Sequence, residues 1–95
     1  MHLVIARYAV KAGMTEEVVD LLAGLTAASR REEGNLSYNF YRVEGEDAIV
    51  LVERYSSAEA FAAHCESEHF RTILLGEVVP RLESREVTAV PATEY

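Results

Sequence analysis

Tryptophan is absent from this chain, cysteine and lysine occur once each, proline occurs twice, and no apolar run nears the length that spans a bilayer. Each scarcity excludes something. Cys65 alone cannot close an internal disulfide, and one thiol with three scattered histidines has no zinc-type spacing. Lys11 is the sole lysine, the arginines are scattered and the formal charge is −7, so neither nucleic-acid phosphate nor an anionic membrane surface is an expected partner. A transmembrane helix needs roughly 20 apolar residues, which the chain nowhere supplies. Met1–Val10 has no basic leader, carries Arg7 inside its apolar run and lacks a small-residue cleavage site, so it does not read as a signal peptide. Together with the unpaired thiol, this predicts a cytoplasmic protein. There is no phosphate-binding glycine loop, no HExxH, no CxxC and no GxSxG, which removes the strong cofactor and nucleophile motifs.

What is present is a composition 49% hydrophobic and 26% charged, ordinary for a folded domain and too apolar for a disordered one. A chain of 95 residues is one small domain, and on folding it hides only roughly 60–65% of its surface. No repeat, linker or low-complexity segment divides it. The predicted domain is residues 1–90, with 91–95 a fraying tail.

His2–Val10 is β-branched and aromatic and is bounded by Lys11-Ala12-Gly13, the pattern of a first strand. Met14, Val18, Leu21, Leu22, Leu25 and Ala28 follow a helical rhythm, with Thr15 the expected N-cap and Glu16 and Glu17 suited to the positive end of the dipole. Gly24 inside that helix is expected to permit close approach to the sheet. Arg30 to Glu33 read as a solvated last turn, and Gly34 as the C-cap. Asn35–Val43 and Ala48–Tyr55 form a hairpin about the turn at residues 44–47.

Ser56 or Ser57 can then cap a helix with the inward stripe Ala58, Phe61, Ala62 and Cys65. Ser67 can cap a second piece, facing Phe70, Ile73, Leu74 and Val78 inward until Pro80 ends it through Val79. Leu82–Val90 is the last strand. The order is βαββαβ, an α+β, ferredoxin-like arrangement: a four-stranded antiparallel sheet with both helices on one face. Ile49, Val50, Leu51 and Val52 are apolar on both faces of their strand, yet helices cover only one. A second copy of the sheet is the simplest cover, which predicts a homodimer.

Groups able to line a pocket between helices and sheet are Tyr38, Asn39, Tyr41, Glu53, Arg54, Tyr55, His64, His69 and Phe70. His64 stands at the edge of the apolar stripe, where an imidazole can meet a ligand and exchange protons, or simply satisfy a helix-end carbonyl. His69 lies five residues on, about 140° round an ideal helix, so the two point apart unless the helix breaks at Ser67, and a paired metal site is not expected. Glu53 shares a face with Ile49, Leu51 and Tyr55. It can orient a substrate or a histidine, or pair with an arginine such as Arg7 in the sheet or across the dimer, and the ion pair is the favoured of these. Leu36, Tyr38 and Phe40 share one face of their strand, and a tyrosine there is more often packing than chemistry. Cys65, in the stripe, reads as inert core.

Glu33-Gly34-Asn35-Leu36-Ser37-Tyr38, then Glu53-Arg54-Tyr55, then Ala63-His64 and His69-Phe70 resemble, in order and spacing, the antibiotic biosynthesis monooxygenase domain, particularly its small quinol monooxygenase-like members. The resemblance implies a dimeric α/β barrel. It also implies oxidation of a phenolic, quinol or anthrone-like molecule by O2 with no cofactor and no metal, the substrate's own anion passing an electron to oxygen. His64, Tyr55 and Glu53 are then the catalytic group, with His64 the base; Tyr38, His69, Phe70, Phe61 and Leu51 contact the substrate.

Family members commonly carry tryptophan where this chain has Tyr55, so a mechanism that needs the indole does not carry over. Heme-degrading relatives use a histidine on the second helical segment, and RTILLGEVV, residues 71–79, contains none, so heme is not expected. Two other readings stay open within the family: an isomerase working by acid–base chemistry on a small, phosphorylated metabolite, and non-catalytic binding of a hydrophobic metabolite.

Overall fold

A computed structural model describes residues 1–95. Strands β1 (His2–Val10), β2 (Asn35–Arg42), β3 (Ala48–Tyr55) and β4 (Leu82–Pro91) form one antiparallel sheet in the order β2-β3-β1-β4. Helix α1 (Thr15–Arg30) connects β1 to β2, and α2 (Ala58–Glu66) followed by α3 (Phe70–Val78) connects β3 to β4. This is the ferredoxin-like βαββαβ fold, with the helices on one face of the sheet. None of the helices is long and apolar enough to cross a membrane.

Strand periodicity decides what each face holds. Val4, Ala6, Tyr8 and Val10 of β1, Ile49 and Leu51 of β3 and Tyr38 of β2 point towards the helices, where they meet Val18, Leu22 and Leu25 of α1 and Leu74 and Val78 of α3 in the core. The opposite face keeps Ile5, Tyr41 and Val90 exposed and Val50 and Val52 half-buried. Arg7 also lies there and pairs with Glu46 of the hairpin turn at 2.9 Å, so it is on the wrong face to reach Glu53. Leu36 does not join Tyr38 and Phe40: a bulge between Asn35 and Ser37 interrupts the alternation, and Leu36 is exposed.

Several local expectations are corrected. Met14, not Thr15, is the N-cap of α1 and makes no side-chain cap; Thr15 is the first helical residue, and its hydroxyl donates to Asp47 Oδ1 at 2.9 Å. Gly24 faces solvent with open space around its α-carbon, so it serves no close approach. Arg31, in right-handed helical conformation, is the C-cap of α1. Gly34 serves contact instead: a Cβ there would lie 2.4 Å from Ala60 Cβ, so only glycine lets the start of β2 lie against α2.

Val79 keeps helical dihedrals despite Pro80, since a 3₁₀ turn, Val79–Arg81, closes the segment and Pro80 needs no donor in its first turn. Ahead of it α3 is wound as a π-helix, its last N–H reaching five residues back from Val79 to Leu74 O.

Candidate active site

Helix α2 is set by Ser57, whose hydroxyl accepts the Ala60 N–H at 3.1 Å. From that start Phe61 and His64 turn inward while Ala58 and Ala62 face solvent, so the buried stripe is rotated from the expected one. His64 is 2% exposed and lies at the centre of the interior face. A polar ring occupies an apolar position because acidic partners await it there.

One partner is Glu32, in the turn after α1. Its Oε2 lies 2.7 Å from His64 Nδ1 and 2.5 Å from His69 Nε2. The two histidines therefore converge. Helix α2 ends at Ser67, whose backbone is extended, and its hydroxyl donates to His64 O while accepting the Phe70 N–H. That break swings His69 back towards Glu32, contrary to the geometry of one continuous helix. A carboxylate can only accept, so both imidazoles donate, and neutral His64 is left with an unprotonated Nε2. Nε2 stands 3.9 Å from Glu53 Oε1, the second acidic partner.

Glu53 forms no ion pair with an arginine of the sheet. It accepts the Tyr55 hydroxyl at 2.6 Å and is 5% exposed. Burial raises its pKa to about 7, the Tyr55 hydrogen bond pulling it back only in part. Burial lowers that of His64, against the hydrogen bond and charge of Glu32. The Tyr38 and Tyr55 phenols are pushed up by burial and by the charge of Glu53, so both stay protonated and act as donors, not bases. Burial also raises the Cys65 thiol, which keeps it from the reactive thiolate form.

Aromatic rings enclose the imidazole: Tyr55 and Phe70 at 5.3 Å between centroids, Tyr38 at 5.7 Å and Phe61 at 6.2 Å. The chamber that Tyr38, Phe61 and Phe70 form with Val4, Tyr8 and Leu74 holds only ≈ 20 Å³ of free space, enough for about one water. Arg85 and Val87 of β4 close its outer side and are themselves exposed. On the other side of His64 an open groove of ≈ 580 Å³ is lined by Glu32, Gly34, Ala60 and Ala63.

Of the residues singled out in the sequence, His64, Glu53, Tyr38, Phe61 and Phe70 meet in this chamber, Tyr55 stands against His64 and Glu53 outside its lining, and His69 stands behind it on Glu32. Leu51 is packed in the hydrophobic core. Asn39, Tyr41 and Arg54 lie elsewhere: Asn39 accepts from Arg30, Tyr41 is exposed on the outer face, and Arg54 pairs with Glu94. Sequence reading missed Glu32, which sits in a run of four charged residues typical of solvent, and Arg85, on a strand read as scaffold. A buried histidine demanding a partner is the only signal that leads to Glu32.

The profile of the antibiotic biosynthesis monooxygenase family matches residues 1–74. The chain belongs to that family. A Nitrosomonas europaea protein named for the same family is 25% identical, with a TM-score of 0.91 over 99% of this chain and 100% of its own. A Mycobacterium tuberculosis protein is 27% identical, with a TM-score of 0.90 over 99% and 96% of the two chains. One from Deinococcus radiodurans shares the fold at 18% identity, with a TM-score of 0.88 over 100% and 95%. No curated protein matches the chain. Membership in the antibiotic biosynthesis monooxygenase family supports a monooxygenase-type role.

Proposed function

We propose that the protein is a monooxygenase that oxidises a phenolic, quinol or anthrone-like molecule with O2, the substrate itself supplying the electrons. The observation that carries this reading is the buried imidazole of His64, tethered through Nδ1 to Glu32 so that Nε2 faces an aromatic chamber as an acceptor. His64 Nε2 takes the phenolic proton, and the resulting anion passes an electron to O2. For an anthrone the balance is one CH2 and one O2 converted to one carbonyl and one water. Tyr55 and Glu53 hold the hydrogen-bonding end, Tyr38, Phe61 and Phe70 contact the ring, and the apolar walls exclude water. Substrate enters by displacing the exposed side chains of Arg85 and Val87, because the closed chamber is too small for a ring.

The working unit is a homodimer. Ile5, Tyr41, Val50, Val52 and Val90 leave an apolar outer face on each sheet, and a second copy stacked on it removes that face from water. A monomeric mass by light scattering at micromolar concentration removes the dimer from this reading.

Oxygen consumption with a panel of hydroquinones, anthrones and naphthols tests the chemistry, with His64→Ala as control. Uptake that depends on His64 is expected. Exchange of substrate protons without oxygen uptake transfers the reading to an isomerase, for which Glu53 and His64 form an acid–base pair; melting shifts without turnover leave only binding.

A further inference from the structure

Two imidazoles on a single carboxylate oxygen are more than orientation of a base requires, because Glu32 holds His64 without any help from His69. We propose that Glu32, His64 and His69 form a site for one divalent transition-metal ion, bound through Glu32 Oε2, His64 Nδ1 and His69 Nε2. The three ligand atoms lie within 4.8 Å of one another, on three separate pieces of backbone brought together by the turn after α1 and the break at Ser67. A tetrahedral ion with bonds of about 2.0–2.2 Å sets its ligands about 3.3–3.5 Å apart. Withdrawal of the carboxylate opens the present contacts of 2.7 and 2.5 Å to that spacing, and rotation of the imidazoles sets their two nitrogens, now within 4.8 Å, to it.

The donor set selects the ion class. Two imidazoles and one carboxylate suit zinc, cobalt or ferrous iron and not the oxygen-seeking magnesium or calcium. A second feature agrees. The remaining nitrogen of a metal-bound imidazole commonly donates to a carboxylate, and His64 Nε2 already faces Glu53 Oε1 at 3.9 Å. The groove lined by Glu32, Gly34 and Ala63 gives the ion an entry path and room for a water ligand.

Loading the site has a consequence that rests on the proposed base role. Metal on Nδ1 moves the His64 proton to Nε2, which removes the lone pair facing the chamber. The metal-bound protein then cannot take a substrate proton through His64.

The test titrates chelator-treated protein with Zn2+ by calorimetry and with Co2+ by visible absorption. One ion per chain is expected, with Co2+ d–d bands and a shift of the His64 tautomer from Nδ1–H to Nε2–H in 15N NMR. His69→Ala, at a partly exposed side chain, and Glu32→Gln each weaken binding at least about tenfold, with folding checked by circular dichroism. No binding at metal concentrations of about 100 μM, or equal affinity in both variants, overturns the site and leaves the base role standing. Zn2+ binding that leaves oxygen uptake unchanged upholds the site and overturns the base role.

Discussion

His64 Nδ1 and Glu32 Oε2 stand 2.7 Å apart although 32 residues separate them along the chain, and that contact fixes which nitrogen of the imidazole looks into the chamber. Replacing Glu32 with glutamine keeps the size and allows the amide oxygen to accept, but it removes the negative charge that supports a protonated imidazole. Turnover is expected to fall about 10–100-fold, with the fold intact by circular dichroism. Undiminished kcat removes Glu32 from the mechanism.

Glu53 links pH to stability. Burial holds its carboxyl up to about 7 in the folded protein against an ordinary value of 4.5, so the folded state is favoured while Glu53 is protonated. That contribution is fully present below pH 4.5, declines as pH rises through about 7, and is flat above. His64, lowered by burial, slopes the other way as pH falls through its unfolded value. Comparison of Glu53→Gln with the natural protein in urea isolates the first effect: the variant gains on the natural protein by about 1–3 kcal/mol between pH 5 and pH 8. A constant difference across that range disproves the raised carboxyl.

Tyr55→Phe separates hydroxyl from ring. The tilted ring contact with Phe61, at 5.2 Å between centroids, is kept, while Glu53 loses its 2.6 Å donor. A stability loss of about 1–3 kcal/mol follows from leaving that buried acceptor unpaired. Thermal melting that matches the natural protein sinks this account of the pair.

Two glycines make opposite predictions. Gly24→Ala, on an exposed helix interior with nothing nearby, is expected to stabilise by up to about 1 kcal/mol. Gly34→Ala drives a methyl group to 2.4 Å from Ala60 Cβ, so β2 and α2 must separate. It is expected to destabilise by about 1–3 kcal/mol and, by moving Glu32 away from His64, to reduce turnover as well. Equal melting temperatures for the two variants contradict the packing assigned here.

The alternation of β1 and β3, the helical rhythm from Met14 to Ala28 and the hairpin about Gly45 are local patterns, and by themselves they determined the βαββαβ order and that Glu53 shares a face of its strand with Leu51 and Tyr55. The candidate histidine was legible too, because it sits beside Phe61 on a short helix. What it touches was decided only by the tertiary structure. A helix break at Ser67 changes the direction of every residue after it, so His69 could not be placed from an ideal helix. Glu32 looks like solvated charge until Gly34 lets β2 lie against Ala60 and brings the turn beneath α2. Arg85 reaches the chamber only through the pairing of β4 with β1, which aligns it with Tyr8. Periodicity depends on neighbours a few residues apart, whereas the partners of a buried charge are chosen by the packing of distant segments.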